Sequence, residues 1–194
     1  MHKKFFLLSA LLLTAAVGCK NKTNSPEAQA ASGEPTEQNA ATAAGESKSQ
    51  AVVRQVDPNL SGNDALEAIK NNYKGKVAFF DFWATWCPPC RAAMREVDQI
   101  KPELQQQGAV FVYITGETSP EAEWKNSLTE IAGDHYRLTD KQWSEINSAL
   151  HMLGIPAYFL LDRKGEIAFS NLTEGGYPGN EVVKEVITKA LNKK

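Results

Sequence analysis

Cysteine is scarce in this chain: three residues in 194, at positions 19, 87 and 90. That excludes a small fold held together by a disulfide framework. An excess of charge of one sign is also missing. Lys and Arg number 21 against 23 Asp and Glu, a formal net charge of −2. Residues 1–18 hold Lys3 and Lys4 and no acid, so the remainder keeps 19 basic residues against 23 acidic ones. Such a balance gives no footing for nucleic acid, which needs a basic face, and is too mild for an acidic disordered tail. No run of about 18 apolar residues occurs, so nothing would span a membrane after N-terminal processing. Between Lys20 and Gln50 there is no Leu, Ile, Val, Met, Phe, Tyr or Trp. A segment of that composition cannot bury enough surface to offset its ordering entropy. It reads as a flexible tether with a root-mean-square reach of roughly 30 Å. What remains, residues 51–194, is enough for one core. The overall 42% hydrophobic and 23% charged residues suit a soluble globular domain. No internal repeat is visible.

The first 18 residues have the character of an export signal. Lys3 and Lys4 form a positive start, and Phe5 to Val17 is a mostly apolar run. It is long enough for a signal core and too short for an ordinary transmembrane helix. The run ends in Ala16-Val17-Gly18-Cys19. Small residues before a cysteine resemble the lipobox of bacterial lipoproteins, with Cys19 as the acylated residue. An ordinary signal peptide with a chance cysteine is the competing reading. The expected organisation is a signal peptide over 1–18, a lipidated Cys19 with its tether over 19–50, and a folded domain over 51–194.

Within that domain helical and strand patterns alternate. Ala51–Val56 reads as a short strand and Asp64–Tyr73 as a helix with Leu66 and Ile69 on one side. Val77–Trp83 is apolar except for Asp81, the pattern of a buried central strand. Pro89–Leu104 places Ala93, Met94, Val97, Ile100 and Leu104 at helical spacing, with Pro102 expected to kink or split it. Ala109–Thr115 is a second buried strand. Ser119-Pro120-Glu121 has the form of a helix start, for a helix to about Ala132. Thr139 with Gln142 forms a capping box for another. Ala157–Leu161 and Glu166–Ser170 read as a hairpin around Arg163-Lys164-Gly165. The last helix starts at Asn180, with Val182, Val183, Val186, Ile187, Ala190 and Leu191 inward. Such an order implies an α/β fold, a mixed central sheet with helices on both faces.

The chemistry concentrates in Asp81-Phe82-Trp83-Ala84-Thr85-Trp86-Cys87-Pro88-Pro89-Cys90. A Cys-x-x-Cys pair between a strand and a helix is a redox signature. The first thiol sits at the helix N-terminus, where free N–H groups and the dipole stabilise a thiolate. Cys87 is therefore the expected exposed nucleophile, and Cys90, one turn on and deeper, the residue that resolves a mixed disulfide. Pro88 and Pro89 contribute no N–H, but their fixed φ suits a helix start. Half a zinc site is an alternative, although Cys19 is the only other cysteine and the histidines are scattered. A structural disulfide is another, although so short a loop stabilises little. Asp81 falls with the buried residues of its strand. A lone carboxylate there is costly unless neutral or employed.

These residues resemble the thioredoxin superfamily, in particular the TlpA/ResA-like thiol–disulfide oxidoreductases, over roughly residues 52–194. Downstream, Gly154-Ile155-Pro156 followed by Tyr158-Phe159-Leu160-Leu161-Asp162 and Gly165 is a second match. The resemblance implies a thioredoxin fold with a helix-bearing insertion over Glu117–Leu150 and a redox disulfide between Cys87 and Cys90. It implies that Pro156 is cis beside the dithiol and that the Ile155 backbone pairs with a client strand. Trp86, Pro88 and Pro89 would complete the client-binding surface, with Trp83 packed inside. It also implies that Asp81 moves a proton to or from Cys90; a hydrogen-bonded structural carboxylate is the plainer alternative. The insertion region carries Trp124, Trp143, His135 and His151, and its aromatics read as core rather than as a pocket. The sequence departs from the family where Asp81 replaces a frequent Asn, Arg95 a frequent Pro and Ala157 a frequent Thr.

The expected protein is a lipid-anchored oxidoreductase on the periplasmic side of a bacterial envelope. Lys20 after Cys19 is unlike an inner-membrane retention signal, which favours the outer membrane. Neither metal nor organic cofactor is expected. Its partners would be protein dithiols and disulfides, an upstream membrane thiol reductase and, through Cys19, the membrane itself. Reduction is the favoured direction, because Asp81 and Ile155 are thioredoxin-like. Oxidation of secreted thiols is the same chemistry reversed. A peroxidase is disfavoured, because Phe80 and Ala84 stand where that chemistry shows Pro and Thr. A redox-silent binding domain is disfavoured by the intact cysteine pair.

Overall fold

The computed structural model describes residues 50–193. The expected signal peptide, Cys19 and all of the tether before Gln50 lie outside the described residues. Six strands form one sheet in the order β1-β4-β3-β2-β5-β6. They are β1 (Ala51–Val53), β2 (Val77–Phe82), β3 (Ala109–Gly116), β4 (Gly133–Leu138), β5 (Ala157–Leu161) and β6 (Ile167–Ser170). The pairs β1–β4, β4–β3 and β3–β2 are parallel; β2–β5 and β5–β6 are antiparallel. The expected mixed α/β sheet is therefore present. Among the described residues no helix is long and apolar enough to cross a membrane.

Alternation along β2 divides the core. Phe79 and, beyond the strand, Trp83 face a layer built with Cys87, Cys90, Met94 and Val97; Ala78, Phe80 and Phe82 face the other. The first layer is closed by α2 (Pro88–Gln106) and α5 (Asn180–Asn192), the second by α1 (Gly62–Asn71) and α4 (Asp140–Ala149). Capping sets several boundaries. Ser61 accepts the Asp64 N–H at the start of α1, and Thr139 and Gln142 complete the expected capping box of α4. Each supplies a partner for an otherwise orphaned helical N–H.

Several expectations are corrected. Pro102 does not split α2, which continues through it to Gln106. The proline lies close to the C-terminal end, so the helix forgoes one bond near a turn that frays anyway. Ser119 is not a helix cap. Its side chain is fully buried, accepts the Thr85 N–H at 3.0 Å and pairs with Thr115 Oγ1 at 2.7 Å. The helix beyond it, α3 (Glu121–Ser127), starts after Pro120 without a side-chain cap and ends well before Ala132. The stretch expected as a helical insertion contains β4, which lies between β1 and β3 inside the sheet. Val182 is exposed rather than inward, while Val183, Ile187 and Ala190 are buried.

Candidate active site

The Asp81–Cys90 segment leaves β2 at the centre of the sheet and enters α2. Trp83 N–H still bonds to Ile114 O of β3, and Cys87 N–H bonds to Ala84 O, which makes the turn compact. Thr85 is fastened to Ser119. The cysteine loop is therefore tied to the strand beside it before the helix begins.

Cys87 is the N-cap of α2, and its sulfur accepts the Cys90 N–H at 3.2 Å. The two sulfurs are bonded, 1.99 Å apart. Cys90 is fully buried. Cys87 is only 3% exposed, which corrects the expectation of an open nucleophile. The physical reason is the loop before β5: the Ile155 carbonyl oxygen lies 3.8 Å from Cys87 Sγ. Ile155–Pro156 is a cis peptide bond. Trp86, Pro88 and Pro89 are exposed around this point, Trp86 by 57%. Sulfur, proline loop and exposed indole thus share one end of the sheet. Among the described residues the Ile155 N–H has no hydrogen-bond partner.

Asp81 is buried on the face that carries the dithiol, and its Oδ1 has no hydrogen-bond partner among the described residues. Burial holds its carboxyl well above the usual carboxylate range, and Lys101 opposes that shift electrostatically. Sheet register places Tyr113 and Tyr158 directly opposite Asp81 on its two neighbouring strands, with His135 beyond Tyr113. Lys101 reaches in from α2 to Tyr113 Oη at 3.1 Å and to the Ala132 carbonyl at 3.2 Å, while pairing with Asp98 at 2.5 Å. Burial raises Tyr113 and Tyr158 far above an ordinary phenol, so both remain neutral.

Sequence reasoning missed Lys101, Tyr113 and Tyr158 in this setting. Lys101 carries the signal of a surface residue, and only the sheet register reveals the two tyrosines. Trp83 and Trp124 are buried, Trp143 is partly buried and His151 is exposed. His135 packs on Tyr113 with ring centroids 4.9 Å apart, on the dithiol's face of the sheet but two strands away from Asp81. No cluster of His, Cys, Asp and Glu suited to a metal occurs among the described residues.

The sequence profile of the Redoxin family matches residues 37–185. The chain belongs to the Redoxin family. Its curated relatives include the thiol-disulfide oxidoreductase ResA of Geobacillus thermodenitrificans, 28% identical over 109 residues, 56% of this chain and 61% of that protein. The thioredoxin-like protein YneN of Bacillus subtilis is 34% identical over 99 residues, 48% of this chain and 55% of its own length. The chain thus spans somewhat over half the length of the curated relatives it matches. Among solved structures, the thioredoxin domain of a thiol-disulfide oxidoreductase from Bacteroides vulgatus superposes with a TM-score of 0.54 at 20% identity, covering 63% of this chain and 84% of that one. A thiol:disulfide interchange protein from Bacteroides sp. gives 0.54 at 21% identity, covering 64% and 79%. The fold of this Redoxin-family chain is that of thioredoxin. A closed dithiol at a helix N-terminus can accept two electrons as two thiols form, or release them as the bond closes.

Proposed function

We propose that the chain is an extracytoplasmic thiol–disulfide oxidoreductase, held to the membrane through Cys19, that reduces disulfides in other proteins. The observation that carries this reading is the Ile155 carbonyl 3.8 Å from Cys87 Sγ. It puts a backbone edge, whose Ile155 N–H has no partner among the described residues, beside the sulfur that caps the helix. An extended client segment can pair with that edge while its disulfide meets Cys87.

In the reducing direction the Cys87 thiolate attacks one client sulfur, forming a mixed disulfide and expelling the other as a thiolate, which takes up a proton. Cys90 then loses its proton and attacks Cys87 Sγ. The Cys87–Cys90 bond closes and the client's second thiol leaves. Two electrons pass to the client, and a dithiol donor at the membrane restores the pair. Asp81, buried on the dithiol's face of the sheet, is in its ionised form the proposed acceptor of the Cys90 proton. Trp86, Pro88 and Pro89 supply client-facing surface around Cys87. The ResA relative, itself named a thiol-disulfide oxidoreductase, supports the same chemistry.

The test is reduction of insulin by the reduced protein, together with the Cys87–Cys90 potential. A potential near thioredoxin's, about −270 mV, fits a reductase, whereas one near DsbA's, about −120 mV, would make the protein an oxidase. Failure of the reduced protein to reduce insulin at all would remove the reading. Anchoring is tested separately: Cys19→Ala should shift the protein from the membrane to the soluble fraction of the envelope.

A further inference from the structure

We infer that Asn171 is a positioning residue for client recognition, setting the Ile155 backbone against Cys87 from the far end of the β-hairpin; this rests on the reductase reading above. Ile155 belongs to no strand, so its position depends on what holds its neighbours. On one side the Leu153 N–H donates to the Leu172 carbonyl at 3.3 Å. On the other, the Gly176 N–H donates to the Pro156 carbonyl at 2.8 Å. Both partners lie in the single turn that follows β6. That turn clamps the Ile155 segment before and after the residue that faces the sulfur.

Asn171 gives the turn its shape. Its carbonyl accepts the N–H groups of Glu174 at 3.2 Å and Gly175 at 2.8 Å, and its own N–H donates to the Tyr158 carbonyl at 3.1 Å. Its side-chain oxygen accepts the Tyr158 N–H at 2.8 Å, while its side-chain nitrogen donates to the Gly176 carbonyl at 2.7 Å. One amide thus ties the start of β5 to the glycine that holds Pro156. Only Asn or Gln offers an acceptor and a donor in one planar fork, and only Asn is this short. Gly175 and Gly176 have φ of 69° and 76°, a left-handed path that favours glycine. Asn171 is buried, so water is a poor substitute for the lost bonds.

Asn171 acts on the edge that a client strand would use, and lies apart from sulfur chemistry itself. Loosening it should therefore weaken recognition of protein disulfides more than attack on a small disulfide that needs no backbone pairing. Full-length protein, fully reduced, is assayed with insulin and with dithiobis(nitrobenzoate), as wild type, Asn171→Ala and Asn171→Asp. The Asp variant keeps the acceptor for Tyr158 and loses the donor to Gly176. The expected result is a roughly tenfold fall in the ratio of the insulin rate to the small-disulfide rate, the effect of about one lost hydrogen bond. It should be carried by KM rather than kcat. An unchanged ratio in a folded variant overturns the inference, as does an equal loss on both substrates. A measurement on wild type guards against variants that do not fold. The Leu153 and Gly176 amides should exchange with solvent slowly, and exchange at open-loop rates would overturn the clamp. If wild type reacts with neither disulfide, the reductase reading itself fails. If wild type is active and the ratio stays put, only the role of Asn171 fails.

Discussion

The backbone N–H of Cys90 lies 3.2 Å from the sulfur of Cys87, and it is the first donor that α2 has to offer. Pro88 and Pro89 carry no N–H. The sulfur at the helix N-terminus therefore meets one amide donor together with the positive end of the dipole. In the reduced protein this arrangement favours a thiolate at Cys87 and leaves Cys90 buried beneath it. A short pulse of alkylating agent, read by mass spectrometry, should label Cys87 and spare Cys90. Cys90→Ser should accumulate mixed disulfides with clients, and Cys87→Ser should not. Preferential labelling of Cys90 would reverse the two roles.

Asp81→Asn should fold normally and turn over more slowly. Loss of a positioned proton-transfer group costs about 10²–10⁴-fold, and less where water reaches the site. The variant also separates chemistry from stability. Burial raises the folded-state carboxyl above its unfolded value of 3.8, so the fold prefers the protonated form. Wild type then loses stability as pH rises from that value through the raised one, whereas Asn does not titrate. Urea midpoints at acidic, neutral and alkaline pH should show the variant's advantage growing upward. The gain is about 1.4 kcal/mol for each pH unit separating folded and unfolded values. A pH-independent difference would mean that folding does not raise the carboxyl above its unfolded value.

His135 should dominate the acid side of the stability curve. Burial lowers it to about 4, against an ordinary value of 6.5, with its Nε2 bonded to the Ile131 carbonyl at 2.8 Å. Its Nδ1 has no partner among the described residues. Lys101 lowers it further, while Asp134 acts in the opposite sense. A buried neutral histidine stabilises the fold fully above its unfolded value, and the contribution disappears as pH falls through 6.5 to about 4. The loss is about 3 kcal/mol, at 1.4 kcal/mol per pH unit. His135→Phe keeps a ring against Tyr113 and should flatten the denaturation midpoint across that range. An unchanged acid slope would place the titrating group elsewhere.

The site was legible because its chemistry is local. Asp81 through Cys90 follow one another along strand, turn and helix, and the Gly154-Ile155-Pro156 loop is a short motif. The hairpin of β5 and β6 and the capping box of Thr139 and Gln142 are likewise set by neighbours in sequence. What remained hidden depends on distant partners. β4 reads Gly-Asp-His-Tyr-Arg-Leu, too polar for a buried strand. It is one because Arg54 pairs with Asp134 at 2.7 Å and Tyr73 Oη donates to the same carboxylate at 2.8 Å. Lys101 reads as surface until Asp98, Tyr113 and the Ala132 carbonyl supply its partners. Ser119-Pro120-Glu121 satisfies every local rule for a helix start, yet Thr85 and Thr115 turn the serine inward.

That serine gives the last prediction. Ser119 Oγ takes the Thr85 N–H at 3.0 Å, and Thr115 Oγ1 lies 2.7 Å from it. All three residues are buried. Ser119→Ala removes one oxygen and leaves two polar groups without that partner in a buried site. A buried unpaired group costs about 1–3 kcal/mol, so denaturant unfolding should show a loss in that range. The effect should also reach the dithiol. Thr85 lies two residues before Cys87, in the turn that sets where α2 begins. With that anchor gone, faster hydrogen exchange should appear at the Thr85 amide and at Cys87, whose N–H bonds to Ala84 O at 3.1 Å. A Ser119→Thr variant, which restores the oxygen, should recover the Thr85 protection if the added methyl is accommodated by Thr115. Loss of stability with the Thr85 and Cys87 amides still protected would show that Ser119 supports β3 alone and does not hold the cysteine turn.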